Sequence, residues 1–154
     1  MIMKSKFRPL AKLVLVLLIP LGILAGCQDK LIYFPRAYAP AMPADFLKHG
    51  GTMIEARTGE GKQVAWLAKP IGGKPAAHLW IACGGNGTLS LELQDVLRLL
   101  PAKGDAVLYF DYPGYGACEG AATPGRIRDS LRAIVPLAAD ACGINRADLP
   151  TKGI

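Results

Sequence analysis

The sequence predicts an α/β domain, an N-terminal β-hairpin leading into a mostly parallel sheet with flanking helices. Three observations carry this. Two short apolar runs, "HLWIACGG" from His78 and "DAVLYF" from Asp105, end abruptly in loop residues, the pattern of strands buried on both faces. Each is followed by apolar residues at helical spacing, and strand–helix–strand–helix at these lengths implies parallel pairing through right-handed crossovers. Ahead of them lies a stretch of period-two alternation broken by a glycine turn, the pattern of a hairpin.

The chain opens "MIMKSKFRPLAKLVLVLLIPLGILAGC". Lys4, Lys6, Arg8 and Lys12 form a basic head, and Leu13 to Gly26 is an uncharged apolar run of 14 residues. That is short for a helix crossing a ~30 Å hydrocarbon core and suits the apolar region of a secretory signal. The run closes on Leu24-Ala25-Gly26-Cys27, which resembles the lipobox of bacterial lipoproteins. The resemblance implies cleavage before Cys27 and lipidation of its thiol, with palmitate among the acyl groups. The membrane would then be a partner, and the location the periplasmic face of a bacterial cell envelope. Gln28 after the cysteine, in place of Asp, favours outer-membrane sorting in an enterobacterial host. An ordinary signal peptide, or a short anchor that happens to contain a cysteine, stays open as the alternative.

On this reading residues 1–26 are a signal peptide, 27–50 a lipidated extended tether and 51–154 the α/β domain. The tether, "QDKLIYFPRAYAPAMP", is rich in proline and aromatics. It is expected to lay Tyr33, Phe34 and Tyr38 against the domain surface, the membrane interface being the other place for them.

The domain begins with "TMIEAR", "TGEG" and "KQVAWLAKP", read as a hairpin whose turn uses Gly59 and Gly61. After the buried strand at 78–85, Ser90 is expected to cap a helix over Leu91 to Lys103. Leu93, Val96, Leu97 and Leu100 form its apolar face, and Gly104 ends it. After "DAVLYF", Thr123 caps a second helix with Pro124 at its first position, where no N–H is needed. Ile127, Leu131, Ile134 and Ala138 share a face, and Gly143 stops it.

Charge excludes one class of partner. The chain carries 18 basic and 12 acidic residues, a net +6. Four of the basic residues and none of the acidic lie in the leader, so 14 against 12 leaves +2 for the remainder. Without a basic run this gives no case for nucleic acid. Cys83, Cys118 and Cys142 follow the lipobox, an odd number, so at most one intrachain pair can form. With two histidines, His49 and His78, and no CxxC, neither a metal nor another cofactor is expected.

In an open α/β sheet ligands sit at the carboxyl ends of the strands, where both glycine clusters fall. Gly84-Gly85-Asn86-Gly87 and Gly114-Tyr115-Gly116 could offer N–H groups to a phosphate. The second cluster continues as GxGxxxG with Pro113 before it, no dinucleotide fingerprint, and no GxxxxGK[ST] occurs. Alternatively the glycines merely let strands turn tightly into helices.

A third reading takes the clusters together. The hairpin, a strand ending in "GGNG", a helix, and a strand ending in "DYPGYG" resemble the α/β-hydrolase fold. The closest likeness is to membrane-associated serine hydrolases of the esterase or peptidase type that open with an "L-x-Y-x-P" tether, here Leu31 to Pro35. The resemblance implies an oxyanion turn at Gly85-Asn86, supported by Gly84 and Gly87, with the Asn86 N–H as one donor. Such a preorganised donor lowers the barrier by about 3 kcal/mol. Gly84 stands where such hydrolases often have His, Pro113 where they often have Arg, and Cys118 where they often have Ser. In the resembling pattern Asp111 fixes the second turn with Gly114 and Gly116 and is structural. Cys118 is read as a small buried residue in preference to a reactive thiol.

The fold's nucleophile sits on a G-x-S-x-G elbow after the next strand, followed by Asp or Glu and then His. The three serines, Ser5, Ser90 and Ser130, lack the elbow glycines, and both histidines come too early. No catalytic residue is therefore expected in this chain. It reads as the N-terminal fragment of a lipid-anchored hydrolase of ester, thioester or amide bonds, inactive alone, with an incomplete sheet whose "HLWIACG" strand lies at an uncovered edge. A small molecule or peptide is then a substrate only of the full-length parent. The alternative is a non-catalytic lipoprotein binding module of α/β fold.

Overall fold

The computed structural model describes Val16, Leu18, Ile19 and residues 28–149. The lipobox and the end of the chain, with Cys27, fall outside the described residues. Two compact units divide it, Met1–Phe34 and Pro35–Ile154. In the first, residues 28–32 are helical, and Leu31, Ile32 and Phe34 are exposed. Among the described residues no helix is long and apolar enough to cross a membrane.

The second unit holds a four-stranded sheet in the order β1-β2-β4-β3: β1 Thr52–Thr58, β2 Gly61–Ala68, β3 Leu79–Cys83 and β4 Ala106–Phe110. β1 and β2 pair antiparallel around Gly59 and Glu60, from Thr52 opposite Leu67 to Thr58 opposite Gly61. Gly61 has φ +97°, a value that favours glycine. β2 pairs antiparallel with β4, Ala65 opposite Phe110, and β3 pairs parallel with β4, Leu79 opposite Ala106. The sheet is thus mixed, not mostly parallel as the sequence implied. The helical alternation fixes only how β3 relates to β4. Because β2 returns from the tight turn against β4, two of the three pairings are antiparallel.

Strand alternation sorts the core to two faces. On one, Ile54, Ala65, Leu67, Ala106, Leu108 and Phe110 pack under helix α3, Pro124–Ala141, whose Ile134, Val135 and Ala138 are buried. Thr123 caps that helix by accepting from the Arg126 N–H at 3.3 Å, with Pro124 at its start. On the other face, Val64, Trp66, Ala82, Val107 and Tyr109 pack with Phe46 and Leu91. Phe46 belongs to helix α1, Ala41–Lys48. The stretch expected to be extended through residue 50 is therefore partly helical. Pro43 falls in the first turn, where N–H groups have no intrahelical partner anyway, and Phe46 gains burial edge-on to Trp66 and Tyr109 at 6.3 and 5.8 Å.

The expected helix over Leu91 to Lys103 is broken into three pieces. Ser90–Leu93 and Pro101–Lys103 are 3₁₀ turns flanking a short helix α2, Gln94–Leu97. Leu89 and not Ser90 holds the capping position, its N–H donating to Glu92 Oε2 at 3.0 Å. Leu100 keeps helical backbone, at φ −66° and ψ −45°, but bonds three residues back to Leu97, the spacing of a 3₁₀ turn. Val96, placed on the apolar face by the sequence pattern, is 78% exposed.

β3 departs from expectation too. β4 is buried along its whole length, whereas only Ala82 of β3 is, and Trp80 is 51% exposed. An apolar run reads alike in a central strand and at an edge, and the order places β3 at the edge.

Candidate functional site

The two glycine turns stand at the carboxyl ends of the adjacent parallel strands β3 and β4. Gly84 admits no side chain, since a Cβ there would sit 2.1 Å from the Thr88 carbonyl oxygen. The tight turn itself therefore demands glycine at this position. Three carbonyls of this turn are anchored. Gly84 accepts from the Tyr112 hydroxyl at 2.8 Å, Asn86 from the Tyr115 hydroxyl at 2.5 Å, and Gly87 from Arg36 Nη1 at 2.9 Å. Asn86 is exposed, and its N–H closes no hydrogen bond among the described residues.

The second turn is fixed from inside. Asp111 is 3% exposed and accepts the Ser90 N–H on Oδ1 at 2.8 Å and the Tyr38 hydroxyl on Oδ2 at 2.6 Å. The same hydroxyl lies 3.2 Å from Ser90 Oγ and accepts from the Leu91 N–H at 3.2 Å. Gly114 and Gly116 have φ +84° and +59°, and a Cβ on Gly116 would fall 2.6 Å from Asp111 Oδ2 and from the Tyr38 ring. Gly116 in turn donates its N–H to the Arg36 carbonyl at 2.8 Å. Residues 36–38 thus strap the two turns together: Arg36 reaches both, and Tyr38 links the carboxylate to the start of the 3₁₀ turn.

Burial raises the Asp111 carboxyl above the ordinary carboxylate value, opposed by its hydrogen bonds from Tyr38 and Ser90. Burial, then the neighbouring Asp111, likewise pushes the Tyr38 phenol up, so it remains a donor at neutral pH. Among the described residues the buried Trp66 indole N–H closes no hydrogen bond, and its dipole near Asp111 opposes the rise only as the smallest contribution. Cys118 sits below, its Sγ 3.2 Å from both the Val64 N–H and the Val64 carbonyl. Burial pushes its thiol up to about 12, which leaves almost no thiolate.

The structure therefore brings together Gly84 to Gly87 with Asp111, Gly114 and Gly116, while Cys27 lies outside the described residues. Sequence reasoning missed Arg36, Tyr112 and Tyr115 as supports. The two tyrosines lay inside the "DYPGYG" motif itself, where the glycines drew the attention. Of the serines among the described residues, Ser90 is buried in the Asp111 and Tyr38 network, and Ser130, buried in α3, donates to Gln63 Oε1 at 3.2 Å. Chemically the site offers backbone donors on a braced turn, with the exposed thiol of Cys83 directly before it.

No protein-family model matches the chain, and no curated protein does. Four chains of solved structures match. One, named "AbyA5 Wildtype", is 22% identical with a TM-score of 0.48 over 66% of this chain and 33% of that one. The present chain thus spans about a third of the length of that protein.

Proposed function

We propose that the chain is the N-terminal portion of a lipid-anchored α/β-hydrolase, a serine hydrolase that transfers the acyl group of an ester, thioester or amide to water. The observation that carries the reading is the exposed Asn86 N–H, unbonded on a turn held by Tyr112, Tyr115 and Arg36 beside the Asp111 turn. Donors fixed before reaction, aimed where negative charge develops, favour the tetrahedral oxyanion over the ground-state carbonyl. The edge position of β3 supports the same reading, because the resembling fold adds its next strand there. In this proposal the serine, acid and base arrive on the strands beyond β3, and this chain contributes the oxyanion turn and the first half of the sheet. Cys27 carries the lipid and holds the domain at the envelope membrane.

The experiment is labelling with a fluorophosphonate probe. All three serines of the 154-residue chain are expected to stay unmodified, and labelling at any of them would overturn the assignment. The sequence encoded after Ile154, in frame or shifted, is expected to contain G-x-S-x-G; unrelated sequence there would favour a non-catalytic binding module. Replacing Cys27 with Ser is expected to abolish incorporation of labelled palmitate, and persistence of label would refute the anchor.

A further inference from the structure

The tether divides at Pro35. Beyond it Tyr38 lies on the domain, bonded to Asp111 at 2.6 Å. Before it Leu31, Ile32 and Phe34 are 62%, 49% and 54% exposed. Of the places open to the aromatics, the domain surface and a membrane interface, Tyr38 thus takes the first and Phe34 does not. The compact units part at the same point, Phe34 ending one and Pro35 beginning the next. Scattered apolar side chains on a surface are ordinary. A contiguous run such as this one forms a patch of the kind a membrane or a partner covers.

Reach and composition select the membrane. Residues 28–32 are helical, and the Tyr33 N–H donates to the Asp29 carbonyl at 2.9 Å. One chain link to Gln28 and three helical steps therefore put Leu31 within about 8 Å of residue 27. The polar layer on each side of a hydrocarbon core is itself roughly 5–7 Å deep. Acyl chains on Cys27 thus hold the exposed Leu31 and Ile32 at that layer. In composition, exposed Lys30 precedes the run, and its long stem lets apolar neighbours sink while the ammonium stays in water. Tyr33 and Phe34 follow, rings suited to the boundary between headgroups and acyl chains. Asp29 offsets the charge of Lys30, so the contact draws on apolar area and needs no anionic lipid.

We infer that residues 30–34 lie in the bilayer interface, with Leu31, Ile32 and Phe34 set among the upper acyl chains and Lys30 at the headgroups. This is a second, non-covalent membrane contact beside the lipid, and it rests on the Cys27 reading for its placement. Each apolar side chain that leaves water adds to the hold of the acyl chains. The contact is independent of the hydrolase reading, since it uses neither the oxyanion turn nor any residue that braces it.

The test places an indole in the segment. The full chain, taken from a membrane fraction and reconstituted into phosphatidylcholine vesicles, carries Phe34→Trp or Leu31→Trp in a Trp80→Phe background, which leaves only the shielded Trp66 beside it. Both replaced side chains are exposed, so neither change disturbs the core. Each introduced indole is expected to be quenched by phosphatidylcholine brominated on the upper acyl chain and to resist acrylamide. An indole quenched by acrylamide and not by the brominated lipid overturns the inference. One shielded from both also overturns it, because protein and not lipid then covers the segment. Labelled palmitate on the same preparation keeps this inference apart from the anchor reading. Palmitate present with an acrylamide-quenched indole sinks the interfacial contact and leaves the anchor. Palmitate absent with a lipid-quenched indole sinks the anchor and leaves the contact.

Discussion

Tyr38→Phe tests whether residues 36–38 hold the site. The change removes one oxygen and leaves the ring against Trp66, edge-on at 6.0 Å. The lost hydroxyl serves Asp111 Oδ2 at 2.6 Å, Leu91 N–H at 3.2 Å and Ser90 Oγ at 3.2 Å. A hydrogen bond to a charged group contributes about 1.5–3 kcal/mol, and a buried N–H left unpaired costs about 1–3 kcal/mol. Part of the second cost is recovered by relaxation, so the expected loss is about 2–4 kcal/mol, a large share of the ~5–15 kcal/mol typical of a domain. Its pH dependence has a definite sign. Burial raises Asp111 and the Tyr38 bond lowers it, so the variant's carboxyl titrates higher still. The loss should therefore be smallest in acid, where Asp111 is protonated, and grow as pH rises through its folded value. Urea unfolding from acid to neutral pH measures both. A loss below about 0.5 kcal/mol, the range of ordinary surface substitutions, or one that shrinks with rising pH, would refute the bracing role.

Four further outcomes follow from other contacts. Gly116→Ala meets Asp111 Oδ2 and Tyr38 at 2.6 Å with φ +59° and should cost about 2–4 kcal/mol, while Gly59→Ala, with open space around it, should be near neutral in the same urea assay. Asp105 accepts from Trp80 Nε1 at 3.0 Å and pairs with His78 Nδ1 at 2.9 Å, and its carboxyl is held low first by His78 and then by Trp80. That contribution is present above the unfolded value and lost as pH falls through the folded one, so Asp105→Asn should flatten the acid limb of the stability profile. Iodoacetamide at mildly alkaline pH should modify exposed Cys83 well before Cys118, and peptide mapping that found Cys118 first would contradict its placement. Ile81→Lys, on an edge strand whose Ile81 is 39% exposed, should reduce concentration-dependent association in sedimentation without loss of folding.

How far the sequence reached depended on the range of the interactions involved. The ends of α3 were legible because Thr123, Pro124 and Gly143 act within one turn of the backbone they cap. The pieces of the 90–103 segment were not, because Leu93 and Val96 look equally apolar on paper, yet Leu93 packs against the sheet and Val96 is exposed. Strand type followed the same division. "HLWIACGG" and "DAVLYF" are alike as strings, but β4 has neighbours on both sides and β3 has one, a fact of sheet order that no local pattern records. At the site the glycines at 84, 114 and 116 could be singled out because close approach or a left-handed backbone requires them. The hydroxyls of Tyr38, Tyr112 and Tyr115 could not, since their partners lie 28 or more residues away for the first turn and 73 away for Asp111.

The chain has two tryptophans, and the fold places them in opposite surroundings. Trp66 is 3% exposed inside the sheet's packed face, and Trp80 is half exposed on the outermost strand. Their emission should therefore separate by colour and by access to acrylamide, the first blue and shielded, the second red and readily quenched. Trp80→Phe would leave a single optical probe of the interior. Trp66→Phe would leave one that reports, in real time and without added label, whatever comes to lie along the open edge.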